Sequence, residues 1–185
     1  MAHWNLAQLA EALLPILSSD EKEAVSKAEQ ALDTFPTHLQ QYWQIGMQEK
    51  LGLVNQSSVD KNIFTTLLEL MEKNQADYTN TFRALSHDGK MLDEPLFKDP
   101  LFLEWYKNWL LLKPNFELMR RRNPAVIPRN HLVEKALAAA VEKDDYSVIN
   151  RLIDVLKKPF VEPTDQVEYM SPSDGSVSYK TFCGT

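Results

Sequence analysis

An all-α fold is predicted by three features of this sequence of 185 residues. Glycine occurs only five times, so tight hairpin turns have little material to form from. Runs of alternating β-branched residues, the mark of half-buried strands, are scarce. Apolar residues instead recur at spacings of three and four along most of the chain, which lays a stripe on one face of a helix. Together these predict one compact multi-helix domain of about seven to nine helices over residues 1–160, followed by an extended tail over residues 161–185.

Composition narrows the function classes. Hydrophobic residues make up 44% and charged residues 25%, which is ordinary for a soluble globular protein and too apolar for a disordered chain. No apolar run approaches the roughly 18 residues that cross a bilayer, and the N-terminus lacks the basic and apolar regions of a signal peptide. The expectation is a cytoplasmic chain with no membrane partner. Cys183 is the single cysteine, so neither an internal disulfide nor a zinc site of cysteine pairs can form. The tripeptide Asn55-Gln56-Ser57 fits a glycosylation acceptor pattern, but a cytoplasmic chain does not use it.

Each element has its own justification. Leu6, Leu9, Ala10, Leu13, Leu14 and Leu17 form the first stripe, extended backwards by Trp4. Pro15 should kink or end that helix near Leu14 and Ile16, because proline lacks the amide hydrogen and crowds the preceding turn. Ser18, Ser19 and Asp20 offer an N-cap to a second helix with Glu21 and Glu23 in its first turn and Val25, Ala28 and Leu32 inside. Pro36 restarts the pattern with Thr34 as cap, and Leu39, Tyr42, Trp43, Gly46, Met47, Lys50 and Leu51 share a face that stops at Gly52. Gly46 is expected to admit a neighbouring helix or ring.

The next helix is expected from Asp60 to Asn74, with Ile63, Phe64, Leu67, Leu68, Leu70 and Met71 as its wide apolar face. Tyr78, Phe82 and Leu85 place another helix between Asp77 and Ser86, with Arg83 close to its apolar face. His87-Asp88-Gly89 reads as a turn, and the segment through Asp99-Pro100 as a mobile loop. Phe102, Trp105, Tyr106, Trp109 and Leu110 form the most aromatic face of the chain and are read as core, since the interleaved basic residues of a base-stacking surface are missing. Pro114 ends that helix and can open a short one. Pro124 and Pro128 bracket an irregular link. A helical hairpin follows, with Leu132, Ala136, Ala139 and Ala140 on one arm, Asp144 and Asp145 at the break, and Ile149, Leu152, Ile153 and Leu156 on the other arm.

Residues 119–160 stand apart in charge. They hold nine Lys and Arg against five Asp and Glu, a net of +4, so the remaining residues carry −10 to give −6 overall. Arg120, Arg121, Arg122 and Arg129 could clamp an anion such as phosphate through paired hydrogen bonds. They could equally close a helix C-terminus and pair with the acids of the remaining chain, and the structural use is favoured because those acids are abundant and helix ends attract cations. Nucleic acid does not suit a chain of pI near 5.3.

Motifs for chemistry are otherwise absent from the sequence. His3, His38, His87 and His131 lie far apart, and the pair His131 and Glu134 falls short of the ligand set a zinc site needs. Phosphate-cradling glycine loops and a nucleophile elbow are missing. Asp88-Gly89 matches two residues of a metal-binding kinase turn without its partner lysine, catalytic aspartate and asparagine. No catalytic, cofactor-binding or metal-binding residue is therefore assigned. Cys183, on the tail, is a redox candidate beside the ordinary reading of an inert thiol.

A series of short motifs carries a family likeness. Trp4-Asn5-Leu6-Ala7-Gln8-Leu9-Ala10, Gln48-Glu49-Lys50-Leu51-Gly52, Asp77-Tyr78-Thr79 with Thr81-Phe82-Arg83, and Asn123-Pro124 with Arg129-Asn130 resemble, in that order, the C-terminal part of the selenoprotein O family. The resemblance spans nearly the whole chain. It implies membership of a family of pseudokinase-fold protein adenylyltransferases, which move AMP from ATP onto hydroxyl groups of protein substrates using Mg²⁺ or Mn²⁺. The nucleotide- and metal-binding residues of that family precede the matching region, so the resemblance implies a fragment: late helices of the kinase-like lobe plus a helical extension. Its partners would be the catalytic kinase-like lobe and the protein substrates. Family members often carry a cysteine or selenocysteine near the C-terminus, linked to redox control through a disulfide to the kinase-like part, and Cys183 matches that position. The competing reading is a free-standing helical interaction module, such as a homodimer, using exposed parts of its aromatic and leucine-rich faces. Absence of a kinase-like neighbour should leave an apolar patch uncovered near Trp4 and Leu6.

Overall fold

The computed structural model describes residues 1–54, 60–87, 93–163 and 167–173. Among them are nine α-helices, one short 3-10 helix and no strand, so the predicted all-α class holds. No helix among the described residues is long and apolar enough to cross a membrane. The glycosylation-like tripeptide, the Asp88-Gly89 pair and Cys183 lie outside the described residues. Packing groups the chain into two units, Met1–Met47 and Gln48–Thr185.

The first unit consists of α1 (Ala2–Leu17) and most of α2 (Glu21–Lys50). Pro15 lies inside α1 and the helix ends two residues after it, close to the expected stop. Asp20 caps α2, its Oδ1 accepting from the Glu23 amide at 3.0 Å, and Ala24 and Ala28 are buried. The expected restart at Pro36 is corrected: α2 runs unbroken through it. Thr34 is not a cap, because its hydroxyl donates to the Ala31 carbonyl at 2.7 Å inside the helix. Proline removes one helical hydrogen bond and crowds the turn before it, but both effects are local and the rest of this long helix carries the backbone past the gap. At Gly46 no described residue makes the close approach, since a Cβ added there would meet no atom within 4 Å.

The second unit is built around aromatic helix α6 (Pro100–Leu111). Phe102, Trp105 and Trp109 are buried, with the Trp105 and Trp109 rings stacked at 5.8 Å. Their indole hydrogens do not go unused: Trp105 donates to the Ile63 carbonyl at 2.9 Å and Trp109 to the Leu51 carbonyl at 3.0 Å. Helix α3 (Asn62–Lys73) packs on α6, and α4 (Tyr78–Leu85) buries Phe82 and Leu85. The expected loop before Pro100 instead holds a single helical turn, α5 (Pro95–Lys98), which packs on α6 and buries Leu96 and Phe97. Pro95 starts that turn and Pro100 starts α6, both at positions where a missing amide hydrogen costs nothing. Asp99 caps α6 by accepting from the Leu101 amide. The Lys73 ammonium, with Asn74 and that amide, holds its carboxyl at about 2.

Pro114 does not open the next helix. Asn115 caps α7 (Phe116–Arg122), accepting from the Leu118 amide at 3.0 Å. The irregular link then runs to α8 (Asn130–Lys143), which pairs with α9 (Ser147–Leu156) as the expected hairpin. Asp144 turns the chain with a left-handed backbone, φ 52. Val126, Ala136, Leu152 and Tyr169 form the core of this end. Ile153, expected inside, is 45% exposed, and Val148 and Val155 pack there instead. Tyr169, in the 3-10 helix Val167–Tyr169, ties the first part of the tail to this core.

Candidate functional site

The C-terminus of α2 collects the polar residues of the second unit. A helix end leaves its last carbonyls without internal partners, and here each carbonyl from Gln48 to Gly52 finds one. Leu53 N–H donates to Gln48, and Gly52 N–H donates to Glu49. The Asn123 side-chain amide donates to Lys50 at 2.8 Å, the Trp109 indole to Leu51, and the Asn115 amide to Gly52 at 2.9 Å. Gly52 takes φ +70, and a Cβ there would lie 2.6 Å from the Asn115 nitrogen. Both the left-handed backbone and the close approach require glycine.

Asn123, with no exposed surface, is the next node. Its Oδ1 accepts from the Lys50 ammonium at 3.2 Å, and its Nδ2 also donates to Ser86 Oγ at 2.9 Å. Lys50 lies over the Tyr78 and Phe82 rings at 5.4 and 5.1 Å, a cation–π arrangement. Burial lowers its pKa.

Arg83 and Arg129 hold the remaining pieces together. Arg83 is buried. It donates to the carbonyls of Arg120, Asn123 and Phe160, and through Nε to Glu162 Oε1 at 3.1 Å. His87 Nε2 lies 3.1 Å from the same oxygen. Arg129 grips Asp77 with both terminal nitrogens, one to each carboxylate oxygen, and reaches Asn80 Oδ1 and the Met170 carbonyl. Asp77 also caps α4, accepting from the Asn80 amide at 2.8 Å. Burial pushes the Asp77 carboxyl up, but the Arg129 guanidinium and the Asn80 and Thr79 amides outweigh it, leaving the pKa below the ordinary value. Nearby Glu94 is pushed up by burial and by the Asp77 charge.

The four arginines of the basic stretch go to four different partners. Arg120 donates to the Ser86 carbonyl at 3.3 Å. Arg121 pairs loosely with Glu117 at 3.6 Å, and Arg122 with Glu49 at 3.0 Å. Arg129 is committed to Asp77. A cleft of about 360 Å³ beside the network is lined by Asn80, Arg83, His87, Glu94, Glu162 and Met170 among others. Its one arginine already spends its donors on Glu162 and carbonyls. Among the described residues, no group of three or more His, Cys, Asp or Glu is placed to hold a metal ion.

Charge along the sequence singles out the arginines of the basic stretch, whereas Arg83, Asn123, Lys50 and Glu162 become a connected set only in the fold. One signal was available: Lys50 falls on an otherwise apolar face of α2, where a lysine needs aromatic or polar partners to be tolerated.

Comparison with known proteins adds a separate line of observation. A family model described as protein adenylyltransferase SelO matches residues 1–157. The protein nucleotidyltransferase YdiU of Bacillus cereus strain ATCC 14579 is 45% identical over 194 residues, covering 100% of this chain and 40% of the relative. Its namesake from Bacillus thuringiensis strain Al Hakam gives the same identity and coverage. The chain therefore spans 40% of the length of these curated relatives.

Proposed function

The chain belongs to the protein adenylyltransferase SelO family, and from that premise we propose that it is a non-catalytic, C-terminal helical region of an enzyme that transfers AMP from ATP to protein hydroxyl groups. One observation carries this reading. The polar residues of the family-like motifs are engaged by partners within the chain: Lys50 by Asn123, Arg83 by Glu162 and three carbonyls, and Arg129 by Asp77. Donors committed in this way fix helices in place rather than being held out to a triphosphate. In this reading ATP and Mg²⁺ or Mn²⁺ are held by the part of the enzyme that this chain does not span, and the helical region supports that part. The test is to incubate this chain alone with ATP labelled at the α-phosphate, plus Mg²⁺ or Mn²⁺. The expected outcome is no label on the chain or on added protein; robust self-labelling would sink the proposal.

The tail completes the proposal through Cys183, read as a thiol that forms a disulfide with the catalytic part when an oxidant removes two electrons and two protons from the pair. Mass spectrometry of an oxidised full-length protein should find the matching C-terminal cysteine cross-linked. A thiol that stays free and unreactive would remove this part of the proposal.

A further inference from the structure

Helix α1 has sixteen residues and not one of them is buried, although it carries an apolar stripe. Leu9, Leu13 and Ile16 stand at spacings of four and three, and so share one face. They are 54%, 37% and 78% exposed. Helix α2 repeats the pattern. Leu39 and Tyr42, 54% and 69% exposed, share a face with Gly46, where an added Cβ would meet nothing within 4 Å. A mid-helix glycine costs helix stability, and no described residue uses the space it leaves. The unit Met1–Met47 buries only Ala24, Ala28 and Met47. A unit this small buries a lower share of its surface than a larger domain does, and contiguous exposed apolar faces mark interaction sites.

We propose that these two faces are the seat of the part of the adenylyltransferase that this chain does not span, packed on Leu9, Leu13 and Ile16 of α1 and on Leu39, Tyr42 and Gly46 of α2. The inference rests on the functional reading above and gives that reading a place on the molecule. Two facts select the occupant. The family match takes in both helices, so they lie in the region this chain shares with its longer relatives. The relatives are also much longer than this chain, which covers 40% of them, so each has ample chain to cover the faces. Gly46 fits the same occupant, since the absent side chain lets a helix or ring come close to the α2 backbone.

Hydrogen exchange of α1 tests the seat, measured in this 185-residue chain and in the matching helix of the full-length Bacillus cereus relative under the same conditions. The expected result is rapid exchange here and protection roughly 100-fold greater in the relative, as for a helix that gains tertiary cover. Equal, rapid exchange in both would overturn the seat. Protection of α1 in this chain alone, lost in Leu13→Glu, would also overturn it by assigning the cover to the chain's own second unit. A dimer in sedimentation, dispersed by Leu13→Glu and not by Gln8→Glu on another face of α1, would assign the cover to a second copy. AMP incorporation by the isolated chain would sink the functional reading without altering the exchange comparison, so the two failures can be told apart.

Discussion

With no exposed surface, Asn123 must satisfy its side-chain amide inside the protein, and it does so by bridging Lys50 and Ser86. Arg129 and Asp77 solve the same problem with charge. Each ion is mostly withdrawn from water, so removing one leaves the other with a desolvation cost and no partner. Arg129→Met is therefore expected to destabilise the second unit by about 3 kcal/mol at neutral pH, read from the urea midpoint. The pH dependence follows from Asp77, whose folded pKa lies below its ordinary 3.8. A carboxylate shifted down contributes stability above its unfolded pKa and loses it as pH falls through the folded one. The deficit of Arg129→Met should thus be full above about pH 5 and shrink as Asp77 is protonated. A deficit unchanged down to pH 2 would contradict the pairing. Such pairings were only half legible beforehand. The abundance of acids pointed to internal partners for the arginines, but partners 52 residues apart, as Arg129 and Asp77 are, leave no periodic trace.

At the scale of elements, the two glycines of α2 separate what is readable from what is not. Gly52 could be read as a stop, because helices commonly end in a left-handed residue. Its contact with the Asn115 backbone depends on tertiary packing and could not be read. Gly52→Ala is expected to destabilise by more than about 1 kcal/mol, the cost of left-handed backbone for an L-residue, with the Asn115 clash added. Gly46→Ala should do the opposite in this chain and stabilise α2 by about 1 kcal/mol, since open space surrounds that position. Thermal unfolding of both variants checks the contrast, and a destabilised Gly46→Ala would contradict it. Apolar stripes located most helices because burial rewards that spacing directly. Pro36 misled because its penalty is local, whereas a helix of 30 residues has many other bonds to hold its course. The turn at Pro95 was missed because four residues are too few to show a period.

For the whole molecule, fold and family were legible while the division of labour was only inferred. The ordered motifs gave the family likeness, and three of them meet at the C-terminus of α2 in one polar network. Trp4, in the first motif, stays 65% exposed, while Leu6 beside it is half-buried. In this account the network is a clamp that positions helices for a catalytic part supplied elsewhere in the enzyme. Titration of MgATP into the isolated chain by calorimetry separates a clamp from a nucleotide site. No saturable binding is expected up to about 1 mM, an affinity of roughly −4 kcal/mol or weaker. Saturable binding at micromolar MgATP, abolished by Arg83→Met or Arg129→Met in chains that remain folded, would contradict it.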